Sequence, residues 1–176
     1  LVVQKFTKQL AENNTISMIS DPSWESWDRK ENREAVNKGL VMGSVLGKKL
    51  QVRGESRETK WSRLDSGRID KRLVAELGFG NSVDASGSMG GDKWKNTQTA
   101  VSAIAKACSM ISNVDCVISY RSTQSQGGGR RGNSCPLMLI AYDSRVDNIS
   151  KIRNLFPLLR CSGTTPEGLC FEAIMK

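Results

Sequence analysis

The alternation of helix-type and strand-type hydrophobic patterns in the second half restricts the fold of this 176-residue chain more than any other feature. Lys93–Ser112 carries its apolar residues on one helical stripe, which predicts an amphipathic helix. Two β-rich runs follow, Val114–Tyr120 and Leu137–Tyr142, and a second helical pattern covers Val146–Leu159. Because strands that alternate with helices form a sheet covered by helices, the sequence predicts the α/β fold class.

The first half of the chain is less regular. We predict a mainly helical N-terminal segment over residues 1–80 and an α/β unit over residues 81–176, because the composition changes near residue 80. Glu31–Val52 has apolar residues at helical spacing. Gly54–Gly67 is polar and predicts a loop, and Ile69–Leu77 predicts a short helix.

Three glycines recur every four residues on one face of the first predicted helix, at Gly39, Gly43 and Gly47. This spacing has two interpretations. Either the glycines allow a neighbouring helix to approach closely, or they weaken the helix in which they lie.

The composition excludes several classes of function. The chain has no histidine, which excludes Ser-His-Asp and Cys-His nucleophiles and His-ligated zinc or haem. Its five cysteines form no CxxC pair, so we expect free thiols in a reducing compartment and a cytoplasmic location. No apolar run approaches the roughly 20 residues of a membrane-spanning helix, and no signal peptide opens the chain.

The net charge of +8 is spread evenly over both halves, which indicates weak attraction to polyanions rather than a nucleic-acid reader. A basic nucleic-acid-binding module that uses Arg130 and Arg131 stays an alternative. These arginines lie in the glycine-rich stretch Gly127–Gly132, which does not open a helix and therefore is no dinucleotide fingerprint. Gly43–Lys49 likewise lacks the spacing of a phosphate loop.

The sharpest local feature is the sequence Asp84-Ala85-Ser86-Gly87-Ser88, which lies just before the helix predicted at Lys93. One carboxylate and two hydroxyls at alternate positions of a tight turn are hard oxygen ligands of the kind that Mg²⁺ prefers. Such a site at the carboxyl end of a strand is common in α/β sheets. The alternative is an ordinary Asp/Ser turn that caps a helix.

A second loop, Gly163-Thr164-Thr165-Pro166, offers another hydroxyl. That hydroxyl is suited to completing a cation site, but threonine is also common as a helix N-cap. Pro166 suits the first turn of a helix.

Asp84 to Ser88 resembles the DxSxS signature of von Willebrand factor A (VWA) domains. The resemblance continues through the predicted helix and strands, then through Leu155-Phe156-Pro157-Leu158, and ends with the second loop, over residues 82–176. It implies a partial doubly wound, Rossmann-like VWA sheet with flanking helices.

The family's metal-ion-dependent adhesion site implies a metal held by Asp84, Ser86, Ser88 and Thr165. Thr165 is preferred to Thr164 because Gly168 matches the family's Thr-x-x-Gly spacing. The resemblance implies Mg²⁺, or another divalent cation such as Mn²⁺, and an acidic residue of a protein partner at the open coordination position.

Within the family, the second loop and the stretch Trp61–Asp70 resemble the CobT-type subunit of aerobic cobaltochelatase, including phage-encoded relatives. This implies a subunit without an ATP site that works with an AAA+ ATPase of the CobS or MoxR type, in cobalt chelation or client remodelling. The alternative in another class is a Mg²⁺-dependent phosphoryl-transfer enzyme built on Asp84.

Two features depart from the family. The segment before the signature, Gly78–Val83, is short and glycine-rich where the family has an apolar strand. The chain ends at Lys176, before the family's last acidic ligand and three later strands, so we expect a fragment with an open sheet edge, marginal stability and weak metal binding.

Overall fold

The computed structural model describes residues 1–13, 15–23, 26–61, 79–111, 114–126 and 133–166, with Gly168 and Cys170. The described strands are β1 (Val2–Lys5), β2 (Phe79–Asp84), β3 (Cys116–Gln126) and β4 (Asn133–Asp143). The helices are α1 (Lys8–Glu12), α2 (Trp27–Trp61), α3 (Asp92–Cys108) and α4 (Ser150–Leu155), with 3-10 turns at Gly87–Met89 and Phe156–Leu158.

The four strands form one mixed sheet in the order β1-β4-β3-β2, which confirms the predicted α/β class. β2 and β3 are parallel and are joined through α3, whereas β3 and β4 are antiparallel. β1 pairs in parallel with β4 and was not predicted. The segment of residues 1–80 therefore supplies a strand to the same sheet as the residues that follow it.

The helix predicted at Lys93–Ser112 is confirmed as α3, but the flanking predictions change in length. β3 and β4 extend beyond the predicted strands Val114–Tyr120 and Leu137–Tyr142, because backbone pairing continues as far as Gln126 opposite Asn133. Residues 127–132, which include both arginines of the nucleic-acid alternative, lie outside the described part of the chain. The helix predicted over Val146–Leu159 is wrong in extent, since α4 covers six residues and gives way to a 3-10 turn that contains Pro157.

α2 is longer than predicted at both ends. It continues through the first part of the predicted loop Gly54–Gly67, where Arg, Glu and Lys are good helix formers. The short helix predicted at Ile69–Leu77 lies outside the described residues. None of the helices in the described ranges has an apolar stretch long enough to cross a membrane.

The three recurring glycines of α2 face α3. A Cβ atom at Gly39 would lie 2.8 Å from the Cβ of Ser102, and one at Gly43 would lie 2.7 Å from the Cβ of Lys106. Both separations are shorter than van der Waals contact. The structure therefore favours the interpretation in which the glycines allow a neighbouring helix to approach closely.

An aromatic cluster joins α3 to the sheet. Tyr120 of β3 makes edge contacts with Trp94 of α3 at 5.7 Å and with Phe156 at 5.8 Å between ring centroids. The Tyr120 hydroxyl lies 3.3 Å from the Gln98 side chain, and burial raises the pKa of the phenol well above its ordinary value. This packing holds the start of α3 and the 3-10 turn at Phe156–Leu158 against β3.

Candidate metal centre

β2 ends at Asp84, so this residue lies at the carboxyl end of the strand. The strand forms despite Gly80 and Asn81, because every residue from Phe79 to Asp84 has a partner on the parallel strand β3. Asp84 lies opposite Arg121, and β3 continues five residues further, to Gln126. The chain that leaves β2 therefore turns beside an extended neighbouring strand.

The turn after β2 brings three of the predicted ligands together. The Asp84 Oδ1 atom accepts a hydrogen bond of 2.9 Å from the backbone N–H of Ser86. The hydroxyl oxygens of Ser86 and Ser88 are 3.0 Å apart. Ser86 is buried, whereas Ser88 is exposed to solvent, so the pair runs from the protein interior to its surface.

The second loop is tied to this turn by its backbone. Ser162 donates a hydrogen bond of 2.8 Å to the carbonyl of Ala85, and Gly87 donates one of 3.0 Å to the carbonyl of Gly163. These contacts place Thr165 beside the carboxylate, where its hydroxyl donates a hydrogen bond of 3.1 Å to Asp84 Oδ2.

The neighbouring threonine points elsewhere. The hydroxyls of Thr164 and Thr123 of β3 are 3.1 Å apart, and the Thr164 N–H donates to Thr123 Oγ1 at 2.9 Å. The structure thus puts Thr165, rather than Thr164, against Asp84.

Gly163 allows the second loop to pack closely against β3, a role that was not predicted from the sequence. Its φ of 73° lies in the left-handed region that favours glycine. A Cβ atom here would lie 2.7 Å from Thr123 Oγ1 and 2.8 Å from Ser122 Oγ. The signal in the sequence was a glycine directly before the threonine pair.

The capping alternative does not describe the serines. Helix α3 has Gly91 as its N-cap, which has no side chain to donate or accept. Ser86 precedes the 3-10 turn but makes no side-chain capping bond to it. The Ser86 and Ser88 hydroxyls therefore face each other instead of satisfying a helix N-terminus.

The donor set fits a small, hard cation. Neighbouring ligand oxygens of an octahedral ion with bonds of about 2.1 Å are about 3.0 Å apart. The Ser86–Ser88 and Asp84–Thr165 oxygen pairs, at 3.0 and 3.1 Å, are compatible with that separation and are also hydrogen-bonded to each other. The four predicted ligands comprise one carboxylate and three hydroxyls, and no group of three or more His, Cys, Asp or Glu side chains among the described residues is placed to hold a metal ion.

Two neighbouring groups were not predicted from the sequence. Burial, with the nearby Asp84 carboxylate, raises the pKa of the Cys161 thiol to about 12. This thiol is thus protonated at neutral pH and is a poor ligand for a hard ion. Arg121 Nη1 donates to the carbonyl and hydroxyl oxygens of Ser82, at 2.7 and 3.2 Å.

Comparison with protein families, with curated proteins and with solved structures finds no match to this chain.

Proposed function

We propose that this chain is a VWA-type, divalent-metal-dependent protein interaction domain whose adhesion site is formed by Asp84, Ser86, Ser88 and Thr165. The observation that carries the proposal is the convergence of four hard oxygen donors from two loops separated by about 80 residues. Asp84 Oδ2 and Thr165 Oγ1 lie 3.1 Å apart, although the two residues are 81 positions apart in the sequence.

The order of elements also supports a VWA-type fold. An edge strand that ends in Asp84 is followed by helix α3, a parallel strand and an antiparallel strand, in the order expected from the resemblance. The glycine-threonine loop then returns to the carboxyl end of the first of these strands, where Gly163 accepts a hydrogen bond from Gly87.

The four residues have different roles in the proposed site. Asp84 supplies the one negative charge of the donor set, and the three hydroxyls supply neutral oxygens. A bound Mg²⁺ or Mn²⁺ would keep part of its charge unbalanced and would supply an attractive point for a carboxylate of a partner protein. Ser88 lies on the exposed side of the cluster, so a partner's Asp or Glu approaches from there.

The resemblance to the CobT type extends the proposal to the partner. We assign this chain to a CobT-like subunit that works in the cytoplasm with an AAA+ ATPase of the CobS or MoxR type, in cobalt chelation or client remodelling. The cytoplasmic location is inferred from the five cysteines, which are odd in number and form no CxxC pair.

Pull-down of a co-expressed AAA+ ATPase of this type tests the proposal. We expect capture in Mg²⁺, and loss of capture in EDTA and in Asp84→Ala. Asp92→Ala is the matched control, because Asp92 is highly exposed and pairs with Lys95 outside the site. Capture that survives both EDTA and Asp84→Ala would contradict a metal bridge.

A further inference from the structure

A second candidate binding surface lies on helix α2, on the side that α3 leaves uncovered. Val41, Met42, Val45 and Val52 are each more than half exposed there. At 100° per residue they fall within about 100° of the helix circumference. We call these four residues the α2 face. Several exposed apolar residues on one side of a helix are typical of an interaction site.

A groove of about 380 Å³ borders the α2 face, between α2, the last turn of α3 and the start of α4. Its lining combines apolar, hydroxyl or amide, and basic side chains, namely Leu40, Val41, Ile149, Asn37, Ser44, Ser150, Lys106 and Arg153. Val41 belongs to both surfaces, so the groove and the α2 face are continuous. A concavity of this size accepts one or two large side chains.

The charged side chains within this surface are all basic. Neither the α2 face nor the lining of the groove includes an Asp or Glu, and the acidic residues Glu34 and Asp147 lie just outside them. Lys38 and Lys49 lie among the residues of the α2 face, and Lys106 and Arg153 line the groove. Charge complementarity therefore requires an acidic ligand with apolar side chains.

From the exposed α2 face, the groove and the basic side chains that line them, we propose that this surface binds an acidic amphipathic helix of a partner protein. Its apolar stripe lies along the α2 face, one large apolar side chain enters the groove, and its carboxylates pair with Lys106 and Arg153. A groove recognises a bound helix through apolar side chains that are spaced along one face of that helix.

Two other occupants fit less well. A second copy of this chain would bring Lys38 and Lys49 of one α2 face against those of the other, which is repulsive. A lipid bilayer offers a flat surface that does not enter the groove. The proposal is also independent of the metal centre, since no residue of that centre lines the groove.

The test uses a synthetic helical peptide of about 18 residues, with a leucine stripe flanked by glutamates, and measures binding by fluorescence anisotropy. We expect saturable binding that persists in EDTA and weakens with salt. Val45→Glu, and separately Lys106→Glu with Arg153→Glu, should each weaken binding about tenfold or more. Val3→Glu is the matched control, because Val3 is 51% exposed, like Val45 at 53%, but lies on β1.

Several results would overturn the proposal. Absence of binding, or equal binding of a peptide with lysines in place of the glutamates, removes the acidic helix as the ligand. Binding to phosphatidylserine vesicles without binding to the peptide assigns the surface to a bilayer. A concentration-dependent dimer in sedimentation that Val45→Glu dissociates assigns it to a second copy. Unfolding curves establish whether each variant is folded. If Val45→Glu does not fold, the double variant Lys106→Glu with Arg153→Glu still tests the groove.

Discussion

The hydroxyl of Thr165 donates a hydrogen bond of 3.1 Å to Asp84 Oδ2, across 81 positions of the chain. The contact joins the turn after β2 to the loop after the 3-10 turn at Phe156–Leu158. The proposed metal site depends on this contact, because it brings the hydroxyl of the second loop to the carboxylate of the first.

Thr165→Ala should reduce the affinity for Mn²⁺ by about tenfold or more, because it removes one of four protein oxygens and frees the Asp84 carboxylate. Thr164→Ala is the matched control. Its hydroxyl pairs with Thr123, so we expect metal affinity near that of the wild type. Calorimetric titration of both variants measures the difference, and equal loss in both would contradict the assignment of Thr165.

Gly163→Ala should destabilise the fold by about 2–4 kcal/mol, through a strained left-handed φ and a clash with β3. It should also weaken metal binding, since Thr165 follows two residues later. Gly168→Ala is the control, because a Cβ there meets nothing within 4 Å. Urea unfolding measures the stabilities, and a stable Gly163→Ala variant would show that the loop does not adopt this conformation.

Gly43→Ala should destabilise the protein by about 1–3 kcal/mol, because its methyl group would clash with Lys106 Cβ and the backbone of Ala103. The sign is informative, since the same change on a free helix surface stabilises by about 1 kcal/mol. Val41→Ala, on the exposed face of the same helix, should change stability by about 0.5 kcal/mol or less. Stabilisation by Gly43→Ala would mean that α2 and α3 do not pack through this face.

Asp143 should make stability depend on pH in the acid range. Hydrogen bonds from Arg145 hold the pKa of the Asp143 carboxyl below its ordinary value, with side-chain contacts of 2.8 and 2.9 Å. Because the folded pKa is the lower one, this contribution is complete above about pH 4 and disappears as the pH falls through the folded value.

Asp143→Asn should therefore cost about 1 kcal/mol at pH 7, and the difference from the wild type should shrink as the pH falls through the lowered folded pKa of Asp143. Thermal unfolding over a series of pH values from 7 into the acid range measures it. Asp92→Asn should show little difference at any of these pH values, since the Asp92 side chain is 92% exposed. A cost for Asp143→Asn that stays constant with pH would rule out the ion pair as its source.

The sequence predicted the elements whose apolar patterns are strong and local. The amphipathic stripe of α3 and the buried runs of β3 and β4 are of this kind, and their alternation indicated the α/β class. Asp84, Ser86 and Ser88 were predicted as oxygen ligands from their own spacing, and the choice of Thr165 came from the family resemblance. The structure brings Asp84 into contact with Thr165, and Ser86 into contact with Ser88.

The remaining features depend on contacts between distant segments. β1 has only four residues, and it is a strand because it pairs with Leu137–Ile140 of β4. The polar ends of β3 and β4 are strands because backbone hydrogen bonds join them. Such bonds leave no periodic pattern of apolar residues in the sequence. The requirement for glycine at position 163 likewise follows from Thr123 on a different strand.

Binding of Mn²⁺ followed by electron paramagnetic resonance tests the proposed metal centre most directly. We expect the wild-type chain to take up one Mn²⁺ that Mg²⁺ displaces, Asp84→Ala to take up none, and Asp92→Ala to bind as the wild type does. The absence of saturable uptake by the folded wild-type chain, or uptake that Asp84→Ala leaves unchanged, would contradict a metal held by Asp84, Ser86, Ser88 and Thr165.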